Sequence, residues 1–195
     1  MPSDVKVWAI PGAARARLAL PLAWRVASLG NDPVVEARRV AASWSTLREN
    51  QVAADQFSRG VASTLREAAS SGATFAAMMA GDGDVPVAAS LVAADLGDAV
   101  HTPASIELTW RSIGRTPRRH SLPVGPSVID ERVVETDIDP TMPASSYQLQ
   151  VAIPHPERSG LLLTFSSPLV PIADQLRTVA LAIAATIRWT SSKRN

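Results

Sequence analysis

The side chains able to do chemistry are few. The 195-residue chain has three histidines, His101, His120 and His155, and no cysteine. Without thiols there is no disulfide, thiolate zinc site, iron–sulfur cluster or cysteine nucleophile. No histidine stands four residues from another, and His155 sits between Pro154 and Pro156. A metal site would have to gather all three from distant segments, so surface histidines are the plainer reading. A serine nucleophile needs a strained turn such as Gly-x-Ser-x-Gly, which is absent, and the adjacency of His120 and Ser121 fixes no geometry. Asp82 and Asp84 flank Gly83, and Asp137 and Asp139 flank Ile138. Paired carboxylates can hold calcium or do acid–base work. Here they lack the glutamate that closes an EF-hand loop, and they fall where turns are expected. Gly81-Asp82-Gly83 also puts acids where a phosphate would sit. The sequence therefore predicts no catalytic centre, no metal and no cofactor.

The densest basic run is Arg111, Arg115, Arg118 and Arg119. Such a run can grip a phosphate or an acidic partner. It can equally be a charged loop and edge strand that prevents edge-to-edge aggregation. No stacking aromatics are interleaved with it, so single-stranded nucleic acid is a poor fit. Of the five tryptophans, Trp110 and Trp189 fall near element ends, and Trp8, Trp24 and Trp44 fall in the first quarter. Most belong in the core or at its rim. One or two could anchor a protein interface, where tryptophan and arginine are enriched. Arg111, Arg115, Arg118, Arg119, Trp8 and Trp110 are thus the candidate residues for contact with a protein partner.

The elements that must position these residues follow from punctuation and period. Lys6–Ile10 is strand-like and closed by Pro11-Gly12. Arg17–Ala27 reads as one or two edge strands, since it contains Pro21. Asp32-Pro33 starts a helix, with Asp as N-cap and Pro at the first helical position. Apolar residues from Val40 to Leu65 recur at helical spacing until Ser71-Gly72. That span is too long for one helix, so a break is expected near Asn50 or Gly60. Thr74–Ala80 and Val85–Leu96 flank Gly81–Asp84 as an antiparallel pair. Ser105–Trp110 is a strand or a short helix. Arg118–Pro123, Ser127–Glu135, Tyr147–Ile153 and Leu161–Ser166 are further strands. The last of these reads as central and buried on both sides. Ser167-Pro168 is expected to open a C-terminal helix carrying Leu169, Ile172, Leu176, Val179, Ile183 and Ile187.

This order gives an α+β fold: a single curved antiparallel β-sheet packed with a long N-terminal helical segment and a C-terminal helix. Residues 16–190 would form one domain, preceded by an extension over 1–15 and followed by a basic tail over 191–195. Val5, Val7, Trp8 and Ile10 make the extension apolar enough to dock on its own sheet or on another subunit. Hydrophobic residues are 46% and charged residues 19% of the chain, a globular composition. A net charge of +1 creates no field that recruits nucleic acid or acidic lipid. Nearly all the cationic residues are arginine, a compositional bias, so abundance alone gives them no weight. Met1–Asp4 has no basic leader region, and the apolar window from Leu169 to Trp189 is interrupted by Asp174, Arg177 and Arg188. A cytoplasmic bacterial protein without membrane insertion is expected.

Four segments carry a resemblance: Pro21-Leu22 with Trp24; Gly72 to Leu91; Leu122 to Val128; and Leu161-Leu-Leu-Thr-Phe-Ser-Ser-Pro168 with the Ile-Arg-Trp ending at Trp189. In this order they resemble actinobacterial proteins of the PsbP-like superfamily, over most of the chain from about Ala16. The resemblance implies a sheet sandwiched with helices, and a role in binding or assembly rather than catalysis. It carries over no site residue. The first expectation is therefore a non-enzymatic adaptor or assembly-accessory protein with a protein partner. The second is a small-ligand-binding domain with a pocket between the sheet and the long helix. A deep cleft with convergent polar groups would favour the latter. A flat apolar patch rimmed by arginine would favour the former.

Overall fold

Leu161–Ser167 alternates strictly between fully and partly buried residues, and the fold is built outward from that strand. The computed structural model describes residues 4–12, 15–44, 51–80, 87–97, 99–139 and 142–190. In chain order the elements are β1 (Val5–Ile10), β2 (Ala16–Pro21), β3 (Trp24–Ala27), α1 (Pro33–Ala41) and α2 (Gln51–Ser70). There follow β4 (Ala73–Ala80), β5 (Val87–Asp95), α3 (Pro103–Ser112), β6 (Arg118–Leu122), β7 (Gly125–Asp139), β8 (Met142–Ile153) and β9 (Leu161–Ser167). A 3-10 turn (Val170–Ile172), α4 (Ala173–Ala185) and β10 (Arg188–Trp189) complete the order.

The α+β class and the antiparallel pairing match expectation, but there are two sheets where the sequence suggested one. Seven strands run in the order β3-β4-β5-β9-β8-β7-β6, with β9 at the centre. Three more run β1-β2-β10. The division falls at the Leu22-Ala23 turn, which separates β2 from β3. Residues 5–10 are not a loose extension but pair with β2 along their whole length. Asp137, Asp139 and the Gly81–Asp84 turn bear on the paired-carboxylate reading: the turn lies outside the described residues, and the two aspartates fall within β7. The 191–195 tail also lies outside them.

One face of the larger sheet holds the main core. Leu91, Ala93, Leu149, Val151, Leu163 and Phe165 meet Ile10, Leu18 and Leu20 of the small sheet and Leu176, Ala180, Ile183 and Ile187 of the C-terminal region. Their clustering removes this whole layer from water, the dominant favourable term in folding. The other face carries two smaller clusters. At the β3–β4 side, Val40 of α1 and Phe57, Val61 and Leu65 of α2 pack on Ala76 and Met78. At the far side, Ile106 and Trp110 of α3 pack on Val128 and Ala152.

Among the described residues the long helical segment gives two helices; the break expected near Asn50 lies outside the described residues. Asp32 caps α1, its carboxylate accepting from the Val34 and Val35 amides at 2.8 and 3.0 Å, as the Asp-Pro pair predicts. Glu36, buried in the first turn, accepts from the Ser28 amide at 2.7 Å and from Asn31 and Arg39. The Arg39 guanidinium leads in holding its carboxyl down at about 2. The helix stops at Ala41 because Ser43 turns back on it, its amide and hydroxyl both donating to the Val40 carbonyl. Trp44 then meets Phe57 edge-on at 5.1 Å and ties the two helices together. Gly60 leaves α2 unbroken, and Gly72, at φ +77°, follows its end.

One open reading is decided and one expectation is corrected. Ser105–Trp110 belongs to a helix, started by a reciprocal cap between Thr102 and Ser105 with Pro103 at its head. The C-terminal helix does not open at Ser167-Pro168. Ser167 is buried and spent on the strand end: its hydroxyl donates to the Ala88 carbonyl at 2.6 Å and accepts from the Leu169 amide. Pro168 and Pro171 carry the chain through the 3-10 turn, and α4 begins at Ala173.

Gly160 lies where the β8–β9 connection closes. A Cβ there would stand 2.5 Å from the Ile153 carbonyl oxygen and 2.8 Å from Leu96 Cδ1. The Ile153 carbonyl, and Pro154 Cα at 2.8 Å, are backbone and cannot swing aside as the tip of Leu96 can. Gly160→Ala is expected to lower the unfolding free energy in urea by about 1–3 kcal/mol, the usual cost of overpacking. Gly30→Ala, where a Cβ meets nothing within 4 Å, is the matched control and should change it far less.

Candidate functional site

Between the two small clusters, the helix-covered face of the larger sheet is polar. Register aligns the side chains into two rows across four strands. One row runs Ser90–Ser166–Gln148–Arg132, and the next runs Val92–Thr164–Gln150–Asp130. The members bond to one another. Ser90 and Ser166 share a hydrogen bond of 2.7 Å, the Gln150 amide donates to Thr164 at 3.3 Å, and Arg132 donates twice to Gln148 Oε1, at 2.9 and 3.2 Å.

Above these rows lies a cleft of about 300 Å³, walled by Thr64, Glu67 and Ala68 of α2 and by Ser71 just beyond it, and floored by Ser90, Gln148, Gln150, Thr164 and Ser166, with Arg132 at its side. Ser90 is buried and the rest of the floor only partly so. It therefore offers hydroxyl and amide groups to whatever occupies the space, on a sheet too rigid to move them apart.

Next to this cleft the arginine run lines a second recess, of about 540 Å³, formed by Arg111, Arg115, Thr116, Pro117, Arg118 and Glu131. Its arginines are mostly engaged. Arg118 pairs with Glu131, and Arg119 pairs with Glu107 of α3 at 3.0 Å. Arg115 stacks on the Trp110 ring at 5.3 Å and donates to Gln150 Oε1, which joins the two recesses. Arg111 is exposed at the end of α3. Trp110 is a core residue of the α3 cluster. Trp8 belongs to a different place altogether. It stands on β1 in the small sheet, half-buried, with the Lys6 ammonium 4.3 Å from its ring. The six residues singled out in the sequence therefore do not form one surface.

The histidines are also scattered: His101 precedes α3, His120 is on β6, and His155 is in the β8–β9 loop. His155 accepts from the Glu157 amide through Nδ1 and meets Trp189 edge-on at 4.9 Å; burial lowers its pKa. Among the described residues no cluster of histidine, aspartate and glutamate is arranged to hold a metal. Among them, too, no helix is long and apolar enough to cross a membrane.

The cleft residues Arg132, Gln148, Gln150, Thr164, Ser166 and Ser90 were not marked by the sequence reading. Their only signal was the period-two alternation of β8 and β9, which describes a polar face equally well whether it meets water or a helix. Comparison with protein-family models and with curated protein sequences finds no match to this chain.

On the opposite face of β7, Glu131 gathers three donors: Arg118, Arg177 of α4 at 2.8 Å, and the Tyr147 hydroxyl at 3.0 Å. Burial, then the Glu131 charge, pushes the Tyr147 phenol up to about 12. Tyr147 is the only tyrosine in the chain, so phenolate absorbance reports it alone. A spectrophotometric titration should place its ionisation well above 10, and Glu131→Gln should lower it. Because the folded value is raised, the linked stability is intact below the unfolded value near 10. It is lost as pH rises from there through about 12.

Proposed function

We propose that this protein is a non-enzymatic binding protein whose ligand is a small polar molecule seated in the cleft between the larger sheet and α2. One observation carries the reading. Two polar rows cross the central strands of a sheet on a face that helices cover. Central strands covered on both faces are ordinarily apolar throughout, because burying hydroxyls and amides costs free energy unless every one is bonded. The packing of α1, α2 and α3 needs no such rows, since their contacts lie on either side. A set of convergent donors and acceptors beside an open volume is the usual form of a ligand site.

The adaptor reading, with a protein partner at Arg111–Arg119, receives less support. Arg118 and Arg119 already satisfy Glu131 and Glu107, and Trp8 lies on the other sheet. The PsbP-like resemblance suits either form of binding role.

The test is a thermal-shift screen of small polar compounds against the native protein and against the double variant Ser90→Ala/Ser166→Ala. Removing both hydroxyls deletes a hydrogen-bonded pair without leaving an orphan. The unliganded variant should therefore keep its stability to within about 1 kcal/mol. A compound at a hundred times its dissociation constant should stabilise the native protein by about 2.7 kcal/mol and the variant by much less. Equal stabilisation of both proteins, or severe destabilisation of the variant without ligand, would show that the polar rows serve folding instead.

A further inference from the structure

Two arginines, Arg132 beside the cleft and Arg115 in the adjoining recess, are each held by a neutral side chain. Among the described residues neither Arg115 nor Arg132 forms an ion pair within 4 Å, whereas Arg39, Arg118, Arg119 and Arg177 all do. Each is held by a neutral glutamine: Arg132 by Gln148 and Arg115 by Gln150. The two glutamines are two positions apart on β8, on the same face, so their Cα atoms are about 7 Å apart. Arg132 lines the cleft, and Arg115, which lines the adjoining recess, reaches the cleft floor through Gln150. A glutamine oxygen positions a guanidinium without cancelling its charge, and a guanidinium so held keeps free N–H groups for a second acceptor.

Neighbouring charges give the same picture. Arg115 is driven below its ordinary value first by burial and next by the Arg132 charge, with Asp130 opposing. Asp130 is buried on the adjacent position of the sheet, and one of its oxygens accepts from the Thr116 amide at 3.2 Å. It secures the turn that carries Arg115. Two guanidiniums face one carboxylate on the sheet side, and Glu67 adds a second on the helix wall, so the forked donors rather than net charge would select an oxyanion. The floor beyond the arginines is hydroxyl-bearing: Thr164, Ser166 and Ser90.

We propose that the cleft is an oxyanion site, in which Arg115 and Arg132 grip a carboxylate or phosphate group from two sides and the floor hydroxyls receive the rest of the ligand. This rests on the reading of the cleft as a ligand site and names the chemical class it takes. Planar forks matched to paired oxygens are the strongest polar contact such a surface can make. The site would be incomplete with either arginine alone, which explains why both are kept from carboxylates that would neutralise them.

The experiment is an NMR titration of the full chain with arginine side chains labelled, observing each Nε–H. Inorganic phosphate, succinate and glucose are added separately at constant ionic strength and pH 7.5. Saturable shifts of Arg115 and Arg132 with an anion are expected, with Arg39 and Arg177, held in their ion pairs, unmoved. Phosphate alone, or succinate alone, identifies which oxyanion is preferred. Arg132→Gln should weaken binding at least tenfold, and Arg132→Lys should recover only part of it, since it restores charge without the fork. Arg132 is exposed, so these variants should fold, and the Tyr147 titration verifies that they do. Linear shifts of all arginines alike would overturn the proposal. Saturation by glucose with no response to either anion would also overturn it, while leaving the cleft a ligand site. No saturation by any of the three, together with a failed compound screen, would remove both.

Discussion

Everything in this molecule is arranged around the requirement that β9 bury one side completely and the other side incompletely. Leu161, Leu163 and Phe165 are fully removed from water, and they meet the small sheet and α4. Leu162, Thr164 and Ser166, on the alternate positions, meet helices that do not quite close over them. Because side chains in a strand alternate with period two, a shift of one residue would exchange these two sets. Register across β5, β9 and β8 is therefore fixed by the cost of putting Phe165 in the cleft and Ser166 in the core. The same register lines up the polar rows, so the site inherits its geometry from the core behind it.

Much of the architecture was readable where a single residue type has a single physical use. Asp32-Pro33 could only start a helix, and Gly72 marks its successor's end. The hairpin between Ile153 and Leu161 followed from two apolar runs around a proline-rich loop, and β9 was placed at the sheet centre. Failures came where one signal serves two masters. Ser167-Pro168 looks like a helix start, yet the serine hydroxyl is taken by the carbonyl of Ala88, 79 residues away. Apolar residues continue at helical spacing through Ser43 and Trp44, yet Ser43 folds back on the preceding turn. The split into two sheets depends on which strands find each other, and local pattern carries no record of that.

The candidate site shows the same division. The arginines at 111–119 were visible as a run, but adjacency in sequence proved a poor guide to shared purpose. Two of them complete acidic partners, one stacks on a tryptophan and reaches a glutamine, and one points outward. The arginine that does join Arg115 at the cleft, Arg132, stands isolated in a strand among glutamate and valine. Only the cross-strand register brings it beside Gln148. The candidate site is a property of rows across the sheet, whereas sequence reads along the strands.

The small sheet has a consequence for how the chain comes to be folded. β2 lies between β1, which adjoins it in sequence, and β10, which does not. The contact that closes this edge, from the Ala19 amide to Thr186 and on to the pairing of Arg17 with Arg188, spans 167 residues. Until β10 docks, the β1–β2 hairpin leaves one row of backbone groups uncovered. An unpaired edge is a template for other strands. Arg17 and the proline at position 21 sit on that uncovered edge, a charge and a missing donor where the hairpin is most open to mispairing. This layer closes only when β10 has docked on β2.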